Sequence, residues 1–585
     1  MQKYTNLVAR SLRELLGDAF TVEFSFDRTD PKFGDYATNV AMVAFSVSKK
    51  SPELRQKLVD LNLRSPRELA DKLREKLLAS GEFTDVAIAG PGFLNMRVEA
   101  ANLAQNLNDE FRGDQKFGAS REHAGQTAIV EYPSPNVAKP YSVGHLRSGN
   151  QGWAAKNLLE NQGWTVITDN HLGDSGSPFG YWVLGYKMFS SPEKLTKAGV
   201  YELGRVYIKI RAALKDEAER GETTLSDQAQ QWLLKLEAKD PDAVKYSDEF
   251  SRISIDHIHE IMARLGISTE YEYGEKFFAS LGKQAIAQTL ERGIATENPD
   301  GSVIIDLTDQ GIKTPLLIRK SNGANLYATG DLACMIWREE NWHPDLVVYS
   351  AGGEQKFYFE QLAAAAKKLG LKQRIFHLWF GTIDQIDEHG KRAKMSSRKG
   401  VVLMEDLLNA AFDRARDNAK TPDMSDDDLR KISVGAIKFA DFAADRRTGM
   451  LFDWENAFSL SGFSGPYVQY AAVRVNKILR DNQFNGDAML VANDYNYAAE
   501  KNLILKLLEY PDVVKLAADK LEPHRVASYV YELAKTLNKY YETTPVATDK
   551  VPVEIKQIRL GLLNQVAVVF ADALAILGIA IPSKM

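Results

Sequence analysis

Residues 127–168 constrain the fold of this 585-residue chain more than any other stretch. A β-rich run, Thr127 to Tyr132, leads into a Pro/Asn/Lys loop that ends at Pro140. Leu146, Trp153, Ala154 and Leu158 then face one side of a helix, Gly163 punctuates, and a second strand-like run follows from Trp164 to Thr168. Strand, helix and strand in direct succession predict a parallel sheet with a right-handed crossover. Such sheets bind ligands beyond the carboxyl ends of their strands. The expected fold class is α/β, with a Rossmann-type parallel-sheet domain at its centre.

The flanks read differently. Residues 1–110 form a small α/β unit, with helical periodicity at Leu7, Ala9, Leu12, Leu15 and Leu16 and again from Leu69 to Leu78. It closes on Gly90-Pro91-Gly92 and a strand through Val98. The polar stretch Phe111 to Gln126 reads as a linker. The central block covers 111–450, with a charged helical insertion at about 190–265 and strand-like runs at Val303–Ile305, Leu316–Ile318 and Leu346–Tyr349. From about residue 405 nearly everything has helical period, and 451–585 is expected to be an all-helical domain.

Bulk properties exclude several classes. No run of about 18 uncharged apolar residues is present, so no membrane span is expected. Residues 1–18 carry Arg10, Arg13, Glu14 and Asp18 and lack the apolar core of a signal peptide. Cys334 is the only cysteine, which rules out an internal disulfide and a multi-cysteine zinc site. The profile is cytoplasmic. A net charge of −5 provides no global basic field, so contact with nucleic acid has to come from local patches.

Two motifs carry chemistry. Lys139-Pro140-Tyr141-Ser142-Val143-Gly144-His145-Leu146-Arg147-Ser148 places a Gly-His step at the start of a helix, where unpaired N–H groups and the helix dipole suit a phosphate. His145 can donate to a phosphate oxygen as charge develops on it. Lys394-Met395-Ser396-Ser397-Arg398-Lys399-Gly400 is a polar, cationic loop able to gather the β- and γ-phosphates of ATP. A Gly-His step alone is usually structural, and a charged loop is usually only solvated. Their combination, in this order, points to an ATP whose α-phosphate is attacked.

The chain resembles the class I aminoacyl-tRNA synthetases, whose two signatures are called HIGH and KMSKS. Within them it is most similar to the arginyl-tRNA synthetases. The resemblance runs through Val130 to Ser148, Asn170-His171-Leu172-Gly173-Asp174, and Leu326 to Ala333. It extends to Phe33–Asn39 and Gly90–Asn95 near the start, and to Phe452-Asp453-Trp454, Pro466–Tyr470 and the last nine residues. It implies activation of L-arginine with ATP and Mg²⁺, without zinc, and transfer to tRNA(Arg) by a chain that is often monomeric. The N-terminal unit would touch tRNA, and the helical C-terminal domain would bind the anticodon.

The resemblance also implies roles for residues. His145 with the cations Lys139, Lys394 and Lys399 would drive catalysis, while Gly144, Ser142, Met395 and Ser396 would line the ATP site. Glu131, Asn136 and Gln355 would help hold the substrate arginine, Asp331 would pair with its guanidinium, and Tyr327 would wall the pocket. Glu275 would be a second acid. Tyr327 and Asp331 lie four apart at a helix start and so can face one cleft. A planar cation with five donors needs such carboxylates and aromatic faces. For RNA, Tyr467, Gln469 and Arg474 are the candidates, with Arg474, Lys477 and Arg480 forming a basic stripe; Tyr529, Tyr531, Tyr540 and Tyr541 are either core or anticodon contacts.

Several positions depart from the family pattern. Ser142 replaces the first signature histidine, Ser397 replaces the second KMSKS lysine, and Tyr358 stands where a histidine is usual. In the segment Asp174-Ser175-Gly176-Ser177-Pro178 a tryptophan and a glutamine are absent. Lys139 is the natural compensating cation for Ser397. Two other readings stay open: a catalytically impaired tRNA-binding paralogue, and a nucleotidylyltransferase sharing the ATP site.

Overall fold

The computed structural model describes residues 2–18, 20–112, 116–174, 178–323, 326–386, 392–395, 402–419, 423–486, 497–548 and 551–585. Two compact units emerge, and neither is one stretch of chain. The first comprises 1–119, 474–515 and 532–570; the second comprises 120–473, 516–531 and 571–585.

The first unit carries a four-stranded antiparallel sheet in the order Phe26–Arg28, Tyr36–Thr38, Phe93–Val98, Phe83–Ala89. Helix Pro66–Ala79 packs its Leu69, Leu73 and Leu77 inward, at the spacing of one helix face. The expected linker is partly packed: Phe117 is buried and stacks on Phe111 and on Tyr510. Helix Val553–Ile576 is long and apolar enough to cross a membrane by length and composition. Its Leu560, Leu563, Val566 and Phe570 are fully buried in the protein, so the core accounts for that hydrophobicity.

The second unit is built on strand β1 (Thr127–Glu131), helix α1 (Leu146–Asn161) and strand β2 (Thr165–Asp169). There follow α2 (Pro192–Glu219), α3 (Tyr327–Asn341), β3 (Leu346–Tyr349), α4 (Lys356–Lys368), β4 (Arg374–His377) and α5 (Asp426–Asp441). The sheet order is β4-β3-β1-β2, all parallel. The chain leaves β1 toward β2 and later returns on the other side as β3, so the switch point lies between β1 and β3. Alternate residues serve two cores. Ile129 and Val347 enter one with Leu332 and Leu362 of α3 and α4, while Ala128, Val130 and Val348 enter the other with Ala155 and Leu159 of α1. A side chain at Gly152 would meet the Tyr132 Cβ at 2.5 Å, so glycine sets how closely α1 approaches the chain leaving β1.

The insertion is helical, with Pro178–Phe189, α2, Thr224–Glu237 and Pro241–Leu265 around a core that includes Trp182, Leu203 and Phe250. The runs at 303–305 and 316–319 do not join the parallel sheet. They form an antiparallel sheet with Ala295–Glu297.

Candidate active site

The register of the sheet places one row of polar side chains at its carboxyl edge. Tyr349 lies opposite both His377 and Glu131, and Glu131 lies opposite Asp169. Arg338, from α3, is fully buried beneath this row. Its Nη2 donates to Glu131 Oε2 at 2.7 Å and to Asp169 Oδ2 at 2.6 Å, and its Nη1 reaches the Tyr349 hydroxyl at 3.4 Å. Burial pushes the Glu131 carboxyl up, and the guanidinium opposes that shift.

The loop after β1 delivers the first motif. Ala138, with left-handed backbone, donates its N–H to Ser254 Oγ at 2.7 Å. Lys139 then lies over the ring of Tyr207 from α2, 5.2 Å from its centroid. Burial lowers the Lys139 pKa, and Arg211 lowers it further. Val143–His145 form a single 3₁₀ turn before α1. The Ser142 N–H donates to His145 Nδ1 at 3.3 Å, and its hydroxyl lies 3.2 Å from the same nitrogen. An accepting Nδ1 leaves the ring proton on Nε2. Burial lowers this imidazole to about 4, so His145 is a neutral donor at neutral pH.

The chain just after the second motif pairs with the first through the backbone. Val143 N–H donates to the Val402 carbonyl and Met404 N–H to the Tyr141 carbonyl, both at 3.0 Å. Met395 is buried in the same core as Tyr141, Val143 and Leu146. Gly144, Arg147, Gly352, Phe380, Met395 and Val402 line an open cleft of about 540 Å³. Lys394 ends the strand Arg392–Lys394. Ser396, Ser397, Arg398, Lys399 and Gly400 lie outside the described residues, as do Ser175, Gly176 and Ser177.

The residues expected around arginine come from four elements. Asp331, in the second turn of α3, accepts a hydrogen bond from the Tyr358 hydroxyl of α4. Burial raises its pKa; His171, Tyr358 and Arg338 each pull it back. Tyr327 opens α3 and is 71% exposed, with Glu275 and Tyr207 in its electrostatic surroundings. Glu275 begins helix Glu275–Glu291, its N–H bonded to the Leu172 carbonyl at 2.9 Å. Asn136 is exposed and pairs with Gly173 in a parallel bridge, where a side chain at 173 would meet the Asn136 amide oxygen. Gln355 is exposed immediately before α4.

His171 stacks on Phe278 and belongs to the same cluster. With Glu131 and Cys334 it forms a group whose candidate ligand atoms lie within 4.8 Å of one another. A divalent cation there would face the buried Arg338 guanidinium already bonded to Glu131, and burial holds the Cys334 thiol protonated. These residues do not fit a metal.

The RNA candidates differ in their surroundings. Gln469 is fully buried, and its Nε2 donates to the Lys431 carbonyl at 2.9 Å and the Ala580 carbonyl at 2.8 Å. That nitrogen holds the end of the chain. Tyr467 is half-buried against Tyr531, with ring centroids 5.4 Å apart. Arg474 is exposed and stacks 4.3 Å from the Tyr541 ring, while Lys477 is paired with Asp481.

Comparison with known proteins decides the family. Residues 107–454 match the family model of tRNA synthetases class I (R), catalytic domain. Residues 2–98 match the arginyl tRNA synthetase N terminal domain, and 468–585 match the DALR anticodon binding domain. The chain belongs to the arginyl-tRNA synthetase family of class I. An arginine–tRNA ligase of Exiguobacterium sibiricum is 32% identical over the whole of both chains. One from Lactococcus lactis is 33% identical over 89% of this chain and 91% of its own. Among solved structures, the Thermus thermophilus arginyl-tRNA synthetase has a TM-score of 0.79 at 22% identity, covering 100% of both chains. That of Plasmodium falciparum has a TM-score of 0.79 at 21% identity, covering 100% of this chain and 99% of its own. Those two structures speak for the fold.

Within this family site, sequence reasoning missed Arg338, Asp169 and the part played by Tyr358. Arg338 meets Glu131 across 207 positions of sequence, and no local pattern marks it. Its one signal is a charged residue at a core position of a helix, eleven residues after Tyr327.

Proposed function

We propose that this chain is an active arginine–tRNA ligase. One oxygen of the arginine carboxylate attacks the ATP α-phosphorus, the bond to the bridging oxygen breaks, and pyrophosphate leaves with arginyl-adenylate formed. The 2′- or 3′-hydroxyl of the terminal adenosine of tRNA(Arg) then attacks the activated carbonyl and expels AMP. No protein nucleophile is needed; positioning and charge stabilisation carry both steps. Magnesium enters with ATP as part of the substrate.

In this reading His145 Nε2–H donates to the α-phosphate while Gly144 leaves the helix start open for the nucleotide. Ser142 orients the imidazole through Nδ1, so its replacement of a histidine keeps a positioning role. Lys139, Lys394 and Lys399 share the triphosphate charge, with Met395 and Ser396 beside the nucleotide. Asp331 and Glu275 take the guanidinium, Tyr327 covers it, and Glu131, Asn136 and Gln355 hold the α-amino and carboxylate end. Tyr467 and Arg474 meet tRNA. The protein works as a cytoplasmic monomer.

The observation that carries this reading is the backbone pairing of Tyr141–Val143, in the first motif, with Val402–Met404, just after the second, beside a cleft that Gly144, Met395 and Val402 line. The impaired-paralogue reading rests on Ser142 and Ser397. Charging of unfractionated tRNA with each amino acid in turn separates the two. Arginine alone is expected to be attached; tRNA binding without charging by any amino acid would favour the paralogue and overturn the proposal.

A further inference from the structure

We propose that Tyr358 is a positioning residue whose hydroxyl sets the Asp331 carboxylate for the guanidinium of arginine and so contributes to the choice of a cationic substrate. The inference rests on the reading of Asp331 as the guanidinium acid. Tyr358 sits in the first turn of α4 and Asp331 in the second turn of α3, so two rigid helices fix the pair. The phenol donates to Asp331 Oδ2, and its ring is held edge-on by Phe359 at 5.8 Å.

The remaining groups facing Asp331 are His171, Arg338, Cys334 and Tyr349. Arg338 is committed to Glu131 and Asp169, and the Cys334 thiol is buried and neutral. Among the described residues, Tyr358 is the group hydrogen-bonded to this carboxylate.

The chemistry of the donor matters. A carboxylate has two oxygens, and a neutral hydroxyl on one of them fixes its plane while leaving the other for the substrate. A lysine or arginine in the same place would neutralise Asp331 and compete with the guanidinium. A phenol supplies the hydrogen bond without the charge, and it supports the ionised form against burial. A neutral isostere such as citrulline gains nothing from a carboxylate prepared in this way.

The test is arginine-dependent ATP–pyrophosphate exchange in the presence of tRNA, with Tyr358→Phe, Tyr358→4-aminophenylalanine and Asp331→Asn. Tyr358→Phe is expected to raise the KM for arginine about tenfold, with kcat and the KM for ATP within about twofold of the parent. The discrimination of arginine over citrulline in equilibrium binding falls in parallel. Tyr358→4-aminophenylalanine, which keeps an N–H donor at the ring position, restores both. An unchanged arginine KM in Tyr358→Phe, an equal rise in both KM values, or no rescue by the amino analogue overturns the inference. If Asp331→Asn raises the arginine KM while Tyr358→Phe does not, the inference alone falls. If Asp331→Asn leaves it unchanged, the reading of Asp331 falls and takes the inference with it.

Discussion

His145 enters the site as a neutral imidazole, and that sets how the site responds to pH. Burial holds its pKa at about 4 against an ordinary 6.5. The unfolded chain takes up this proton as pH falls through 6.5, while the folded chain resists until about 4. The folded state therefore loses stability across that window as pH drops. His377, half-buried beside Phe359 and also lowered by desolvation to about 4, adds to the same slope. Urea unfolding between pH 7 and 4.5 is expected to show this decline, and His145→Gln to make it shallower. For activity, His145→Ala should cost about 10² to 10³ in kcat for arginine activation, the scale of one lost donor to a developing charge. Gly144, His145, Tyr327 and Asp331 could be proposed from sequence because each sits inside a local motif. Arg338 could not, and Tyr358 stood out only as a departure from the family pattern, since what defines both is a partner brought in by the fold.

At the scale of elements, α1 is the hub. Its Arg147 is buried, with Nε on Asp441 Oδ1 at 2.7 Å and Nη1 on the Gly381 and Thr448 carbonyls at 2.8 Å each. Asn150 and Gln151 donate to the other Asp441 oxygen, both at 2.9 Å. The helix that follows His145 is thereby locked to α5 and to the wall of the cleft. Asp441→Ala would leave a permanently charged guanidinium buried without its partner, at a cost of about 3 to 5 kcal/mol, measurable by chemical denaturation. If unfolding free energy stayed within about 1 kcal/mol, this lock would be energetically idle. Periodicity read α1, β1 and β2 well, because parallel strands and their crossover helix leave strong apolar patterns. It did not place the runs at 303–305 and 316–319, since short β-branched strands look alike in a parallel or an antiparallel sheet.

For the whole molecule, the sequence suggested three consecutive blocks, and three family models match in that order; contacts group the chain into two compact units that each draw on separated segments. Local composition does not reveal such a return of the chain, because the buried faces of helices from either unit carry the same apolar period. The end of the chain shows the consequence within its own unit. Lys438 Nζ holds the Gly578 carbonyl at 2.8 Å, and Asp428 accepts from Ser583 N–H at 2.6 Å and from its hydroxyl at 2.7 Å. Removing residues 578–585 is expected to unseat this clasp and lower the melting temperature by several degrees, read by calorimetry. We propose that both motifs and the acidic row form one working site despite Ser142 and Ser397. ATP–pyrophosphate exchange with arginine, with and without tRNA, is the decisive measurement. Arginine-dependent exchange that Lys139→Ala reduces at least tenfold is expected; no exchange under either condition would show that the site does not work as one.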